Sequence, residues 1–283
     1  MENTIPDGAM PGGAITGSQR LENRLRQPLS EGSRGVIPFV TAGDPDSDTT
    51  AEVIAAMAEA GADAVEVGFP FSDPLADGPV IQAASQRSLA RGFRVADGWR
   101  VAREVRRRTD VPLIAFTYYN PVLATGVDEF VAQAAASGYD AVLVPDLPRE
   151  EAEPLLAACH REGLAWVPLV APTTTDERLG RVVAAGAGFV YCVTVTGVTG
   201  ARVESSTRLK PLVERVRRHT RLPVAAGFGI SGPEQARRAA ETADAVIVGS
   251  ALIERLQACS TRETAAAVAF SMVAALKDAV RQS

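Results

Sequence analysis

The chain has 283 residues, of which 46% are hydrophobic and 22% charged, with a formal net charge of −5 at pH 7. An acidic balance gives no electrostatic reason for nucleic-acid binding, and no apolar run approaches the ~18 residues of a membrane-spanning helix, so neither a nucleic acid nor a membrane is expected as partner. The length exceeds the usual ~150-residue domain but suits a single barrel of about 250 residues.

Residues 1–17 carry no Lys or Arg, and Pro6, Pro11 and several glycines interrupt them. They lack both parts of a secretory signal and read as a flexible N-terminal extension, leaving 18–283 as one domain. Short apolar or β-branched runs then alternate with Ala-, Glu- and Arg-rich stretches of helical periodicity. Strands are predicted at Val36–Thr41, Ala64–Gly68, Pro112–Thr117, Ala141–Val144, Ala165–Leu169, Phe189–Val193, Pro223–Ala226 and Ala245–Val248. Helices are predicted at Thr49–Ala60, Val80–Arg91, Ala96–Arg108, Asp128–Ser137, Glu150–Glu162, Glu177–Ala185, Thr207–His219, Pro233–Thr242 and Thr261–Val280, with a short helical stretch at Ala251–Leu256.

Alternation of this kind implies parallel strands with helical crossovers. Eight such units make an α/β chain of the (β/α)8 TIM-barrel class. An open doubly wound sheet would also alternate, but its Gly-x-Gly-x-x-Gly turn after the first strand is missing: the turn reads Ala42-Gly43-Asp44-Pro45. In a barrel the chemistry sits at the carboxyl ends of the strands, where Phe69–Pro79, Thr194–Arg202 and Gly227–Gly232 form long polar loops.

Two adjacent strand ends carry glycine loops, Gly227-Phe228-Gly229 and Gly249-Ser250, the second opening the short helical stretch. Such loops let backbone N–H groups approach an anion, and a helix start adds its own donors. Phe228, Gly229, Gly249 and Ser250 are therefore candidate phosphate contacts, with Thr199-Gly200 as a third segment. Tight turns alone would also use these glycines.

Buried parallel strands are nearly all apolar, so Glu66 between Val65 and Val67 stands out. An apolar surround would raise its pKa toward neutrality and suit proton exchange; a rim ion pair with an arginine is the alternative. Asp77 lies in a strand–helix connection longer than the common 2–6 residues. Asp73, before Pro74, reads as a turn residue. His160 and His219 fall near helix C-termini, which accounts for them. The cluster Arg103, Arg106, Arg107 and Arg108 reads as a solvated helix face. Lys210 and Lys277 lie in helical stretches, away from strand ends, so no Schiff-base lysine is expected, nor a metal site. Cys159, Cys192 and Cys259 form no CxxC pair and fit buried free thiols in a reducing cytoplasm. Carboxylate acid–base chemistry on a phosphorylated small molecule is what these residues leave.

The segment from Glu66 to Pro79, EVGFPFSDPLADGP, resembles the signature of the tryptophan synthase α subunit family. Support comes, in the same order along the chain, from Pro38–Pro45, Tyr118–Pro121, Val144–Pro148, Thr196–Gly200 and Gly227–Ser231. The resemblance implies retro-aldol cleavage of indole-3-glycerol phosphate to indole and glyceraldehyde 3-phosphate. It implies Glu66 as general acid/base and Asp77 as the group holding the indole N–H. Tyr191 and Phe39 would border the substrate, Gly200, Phe228, Gly229, Gly249 and Ser250 would hold the phosphate, and Thr199 would close over the site. It further implies no cofactor in this chain and an α2β2 heterotetramer with a β subunit that carries pyridoxal phosphate and receives indole, near the Pro70–Pro79 loop and Tyr118–Asn120. Two other readings stay open: a free-standing indole-3-glycerol-phosphate lyase that releases indole, and another phosphate-binding barrel enzyme acting on a phosphoribosyl compound. A weakly catalytic regulatory subunit would be favoured by loss of either carboxylate, and both are present.

Overall fold

A computed structural model describes residues 15–193, 204–227 and 229–281. Its strands are β1 (Gly35–Thr41), β2 (Val65–Gly68), β3 (Leu113–Phe116), β4 (Ala141–Leu143), β5 (Ala165–Trp166), β6 (Leu169–Val170), β7 (Val190–Val193), β8 (Val224–Gly227) and β9 (Ala245–Val248). All pair in parallel, in the order β5-β4-β3-β2-β1-β9-β8-β7-β6. The two ends of this series are halves of one stave. Val167 N–H still donates to the Val142 carbonyl at 3.1 Å, and the Pro168 carbonyl accepts from Tyr191 N–H at 2.9 Å. Pro168 itself has no N–H to give, which interrupts the ladder between β5 and β6. The sheet therefore closes as a barrel of eight staves, one at each predicted run.

The helices are α1 (Gly17–Ser30), α2 (Ser47–Glu59), α3 (Pro79–Ala90), α4 (Val95–Arg106), α5 (Tyr119–Thr125), α6 (Val127–Ser137), α7 (Glu153–Glu162), α8 (Asp176–Ala184), α9 (Glu204–Arg217), α10 (Pro233–Ala240), α11 (Ser250–Gln257) and α12 (Arg262–Arg281). Two of these lie outside the predicted set, α1 and α5. Thr16 caps α1 through a reciprocal pair with Gln19, its Oγ1 accepting from Gln19 N–H and Gln19 Oε1 accepting from Thr16 N–H. The ordered fold thus reaches back to Thr16, just inside the segment read as an extension; residues 1–14 lie outside the described residues.

Period-two alternation along the strands sorts side chains into two layers. Ile37, Ile114, Leu143, Val167, Phe189 and Ile247 pack with Leu21 and Leu25 of α1 as the barrel interior. Both leucines are fully buried, each worth about 2 kcal/mol in removed apolar surface, so α1 plugs one end of the barrel. Val36, Val65 and Leu113 point outward against the helical layer, with Met57 of α2 and Met272 of α12 in the same cluster.

The amino ends of three strands share one device. Asp63 accepts from Val36 N–H at 2.7 Å and from Lys277 Nζ at 2.7 Å. Asp140 accepts from Leu113 N–H at 2.8 Å, Arg20 at 2.6 Å and Arg106 at 2.7 Å. Asp244 accepts from Val224 N–H at 2.9 Å and Arg217 at 2.8 Å. Each carboxylate takes a backbone N–H at the start of the neighbouring strand and is balanced by a cation, which holds strand register at that end. Arg106 accordingly departs from the solvated face expected of the arginine cluster: it also donates to the Gly138 and Val111 carbonyls. Cys159 and Cys192 are buried free thiols, whereas Cys259 is only partly buried.

Candidate active site

Glu66 sits in the middle of β2, between the parallel neighbours Phe39 of β1 and Ile114 of β3. Only 1% of it is exposed, and its Oε1 has no hydrogen-bond partner among the described residues. Burial, and next the charge of Asp77, pushes its pKa from the ordinary 4.5 up to about 8. The carboxyl is then mostly protonated at neutral pH, the form a dry site tolerates. The rim ion pair considered from sequence does not form among the described residues.

Asp77 is held by the loop that follows β2. Its N–H donates to the Pro74 carbonyl at 3.0 Å, and its own carbonyl accepts from Gln82 Nε2 at 2.9 Å. Gly78 is the residue before α3 and Pro79 fills the first helical position, so the Asp77 carboxylate is not consumed as a helix cap. Tyr118, almost fully buried after β3, accepts from Ala76 N–H at 3.0 Å, which brings its hydroxyl to the Asp77 carboxylate. Burial raises the Asp77 pKa to about 6, with the Tyr118 hydrogen bond opposing the rise. The two carboxyl groups therefore differ at pH 7, Glu66 carrying a proton and Asp77 a charge. Asp73 is a turn residue, as expected: its carbonyl accepts from Leu75 N–H at 2.9 Å.

Phe39 is the register partner of Glu66 on β1, and Tyr191 lies near enough to Glu66 and Asp77 to feel their charges. The Phe39 ring lies on Gly68, where a Cβ would come within 2.4 Å of it, and meets Phe116 edge to face at 5.6 Å. With Ala84, Ile253, Val80 and Ile81 it forms an apolar wall. Tyr191 of β7 is buried, and its pKa is pushed well above the ordinary value by burial and then by the charges of Glu66 and Asp77, so it remains a neutral phenol. Its hydroxyl lies over Gly227, where a Cβ would approach within 2.3 Å; only glycine permits that contact.

The glycine loops flank this wall. Gly229 has φ +68°, and the space a Cβ would enter there is open. Gly249 precedes α11, and its carbonyl accepts from Leu252 and Ile253 N–H at 2.9 and 3.1 Å. The N–H groups of Ser250 and Ala251 stay outside the helical ladder and have no partner among the described residues, which suits an anion. Thr199, Gly200 and Phe228 lie outside the described residues. Tyr118 is the site residue whose role the sequence did not give: it was associated with a subunit contact, and its bond to the Asp77 loop spans 42 positions.

Comparison with known proteins agrees with this geometry. Residues 25–281 match the family described as "Tryptophan synthase alpha chain". The chain is 45% identical over 237 residues to the tryptophan synthase alpha chain of Caldanaerobacter subterraneus, covering 84% of this chain and 90% of that one. It is 49% identical over 235 residues to that of Synechocystis, covering 83% and 88%. Among solved structures, Mycobacterium tuberculosis tryptophan synthase superposes with a TM-score of 0.84 at 36% identity, covering 93% of this chain and 98% of that one. The tryptophan synthase α2β2 complex of Pyrococcus furiosus gives 0.79 at 41% identity, covering 87% and 97%. With a closed barrel and matches that span most of both chains, this chain belongs to the tryptophan synthase alpha chain family.

Proposed function

We propose that this chain cleaves indole-3-glycerol phosphate as an α subunit, with Glu66 as the acid/base and Asp77 as the electrostatic partner. The observation that carries the assignment is the Glu66 carboxyl, almost wholly buried, with no partner for its Oε1 among the described residues and with its pKa pushed up to about 8. In the retro-aldol step the protonated Glu66 delivers its proton to the indole ring carbon that bears the side chain. The Asp77 carboxylate accepts the indole N–H and stabilises the positive charge that results. Glu66, now a carboxylate, takes the proton from the adjacent side-chain hydroxyl as the carbon–carbon bond breaks. Indole and glyceraldehyde 3-phosphate leave and Glu66 is again protonated, so the cycle consumes no external acid or base.

Phe39 and Tyr191 border the indole ring and the glycerol chain in this reading. The phosphate lies against Gly229, Gly249 and Ser250, joined by Gly200 and Phe228, while Thr199 closes the site. The chemistry uses side chains alone, so the reading assigns no cofactor to this chain and leaves pyridoxal phosphate to a β subunit. The name of the P. furiosus structure supports an α2β2 partnership. The exposed Leu75 on the Asp77 loop and Leu123 on α5 place apolar surface beside Tyr118, which suits a contact that senses the site. No helix of the described residues is long and apolar enough to cross a membrane; we assign the chain to the cytoplasm, with residues before Thr16 as an extension outside the catalytic domain.

The test follows indole release from indole-3-glycerol phosphate by the purified chain, with and without a tryptophan synthase β subunit. Slow release accelerated by that subunit supports the coupled reading, and loss of release in Glu66→Gln supports the acid/base role. Rapid release indifferent to the β subunit would favour a free-standing lyase. Full turnover in Glu66→Gln would remove Glu66 from the chemistry.

A further inference from the structure

A second cavity, of about 380 Å³, lies outside the barrel mouth between the β1–α2 connection, α3, α11 and the start of α12. Its floor is apolar, made by Val40 and Val53 together with Ile253 and Leu256 of α11. Thr41 also lines it; this residue is 2% exposed, and its Oγ1 has no hydrogen-bond partner among the described residues.

The rim is charged and close to balanced, with Asp48 just beyond it beside Arg262, but its arginines hold more donors than these pairs use. Arg87, Arg91 and Arg262 face Asp44 and Asp46. Asp44 is occupied by Arg87 through two bonds of 3.1 and 2.5 Å. Asp46 is spent on Thr49, accepting from its N–H and its hydroxyl at 2.7 Å each. Arg91 reaches Asp44 only at 3.4 Å, and Arg262 stands 4.0 Å from Asp46 and 3.6 Å from Asp48. Both guanidinium groups are about half exposed and keep donors to spare. The volume falls in the range of small-molecule sites, and an apolar floor with a few convergent polar groups is their usual composition.

From this lining we infer that the cavity is a second binding site, separate from the barrel mouth, for a small organic monoanion: an apolar or aromatic body of about ten to fifteen non-hydrogen atoms bearing one carboxylate. The body lies on Val40, Val53 and Leu256, and the carboxylate lies at the Arg91–Arg262 rim. The inference does not depend on the chemistry assigned to Glu66, and its test uses a different readout.

The probe is 2-naphthoate, titrated calorimetrically into the full-length chain and located in a crystal structure, with uncharged 2-naphthamide as the control. Expected is one equivalent of naphthoate in the cavity, with the amide bound at least about tenfold more weakly because charge-assisted hydrogen bonds are the stronger kind. Arg91→Gln and Arg262→Gln each weaken naphthoate by about five- to tenfold. Glu66→Gln leaves the affinity unchanged. Melting curves establish that each variant is folded. The inference is overturned by absent binding at about 5 mM naphthoate, by equal affinity for the amide, by indifference to both arginine variants, or by density in the barrel mouth instead.

Discussion

Glu66→Gln separates the cost of one buried proton from everything else in the fold. In the unfolded chain the glutamate titrates near 4.5, and in the folded chain near 8. Below pH 4.5 both states hold the proton and the group adds nothing to the pH dependence. Between those values the unfolded state has released the proton and the folded state has not, so wild-type stability falls as pH rises, by about 1.4 kcal/mol per pH unit. The accumulated loss is about 3 kcal/mol at pH 7 and about 4 kcal/mol at pH 8, and it levels off near about 5 kcal/mol above that. Glutamine carries no such proton, and Asp77 titrates in both proteins, since burial and Tyr118 set its pKa. The burial of the amide adds an offset that does not vary with pH. Urea unfolding of both proteins at half-unit intervals from pH 4.5 to 8.5 should therefore show the variant gaining on the wild type with that slope, while indole release disappears. Parallel stability curves would mean that Glu66 is ionised in the folded protein, and the acid/base assignment would lose its physical basis.

The same two groups set the pH profile: kcat/KM requires Asp77 ionised, above about 6, and Glu66 protonated, below about 8, so a bell with a neutral plateau is expected from steady-state assays. Asp77→Asn should cut kcat/KM by about 10²–10³ and erase the acidic limb; a rate within twofold of wild type would reduce Asp77 to a loop residue. Tyr118→Phe removes the bond that lowers the Asp77 pKa, so the acidic limb should move upward and kcat/KM fall about tenfold at pH 7, while a fixed limb would deny Tyr118 its positioning role. Truncation through residue 14 should leave activity and melting unchanged, whereas truncation through Thr16 should cost about 1 kcal/mol with the loss of the α1 cap; equal melting of the two would show the cap to be idle.

The barrel was legible because parallel strands are buried on both faces and leave continuous apolar runs, and glycine marks the turns between them. What escaped has local causes. Pro168 breaks the fifth stave although Val167 keeps its ladder bond, an effect of one missing donor rather than of the apolar pattern. α1 was missed although Thr16 and Gln19 have capping-box spacing and Leu21 and Leu25 fall one turn apart; its mean character is polar, and only the barrel end it plugs explains its stability. The sequence around α5, Tyr119-Asn120-Pro121, reads as a turn. Glu66 was visible as a charge in an apolar strand, and Asp77 through the length of its loop. Tyr118 was not, because its meaning lies in one contact across the sequence.

The carboxylates at the two ends of the barrel form an internal comparison. At the amino ends, Asp63, Asp140 and Asp244 each have a backbone N–H and a cation within hydrogen-bond distance. The fold evidently has the means to neutralise a buried carboxylate, and the chain has 29 Lys and Arg residues with which to do so. Among the described residues Glu66 receives neither, although it is as deeply buried as Asp140. A cation beside Glu66 would return its pKa toward the acidic range and fix it as a permanent anion, unable to give a proton near neutral pH. Leaving it without a partner lowers stability at neutral pH and keeps the proton mobile. Unpaired burial at one end and paired burial at the other thus divide the acidic residues of one barrel into those that hold register and one that can exchange a proton.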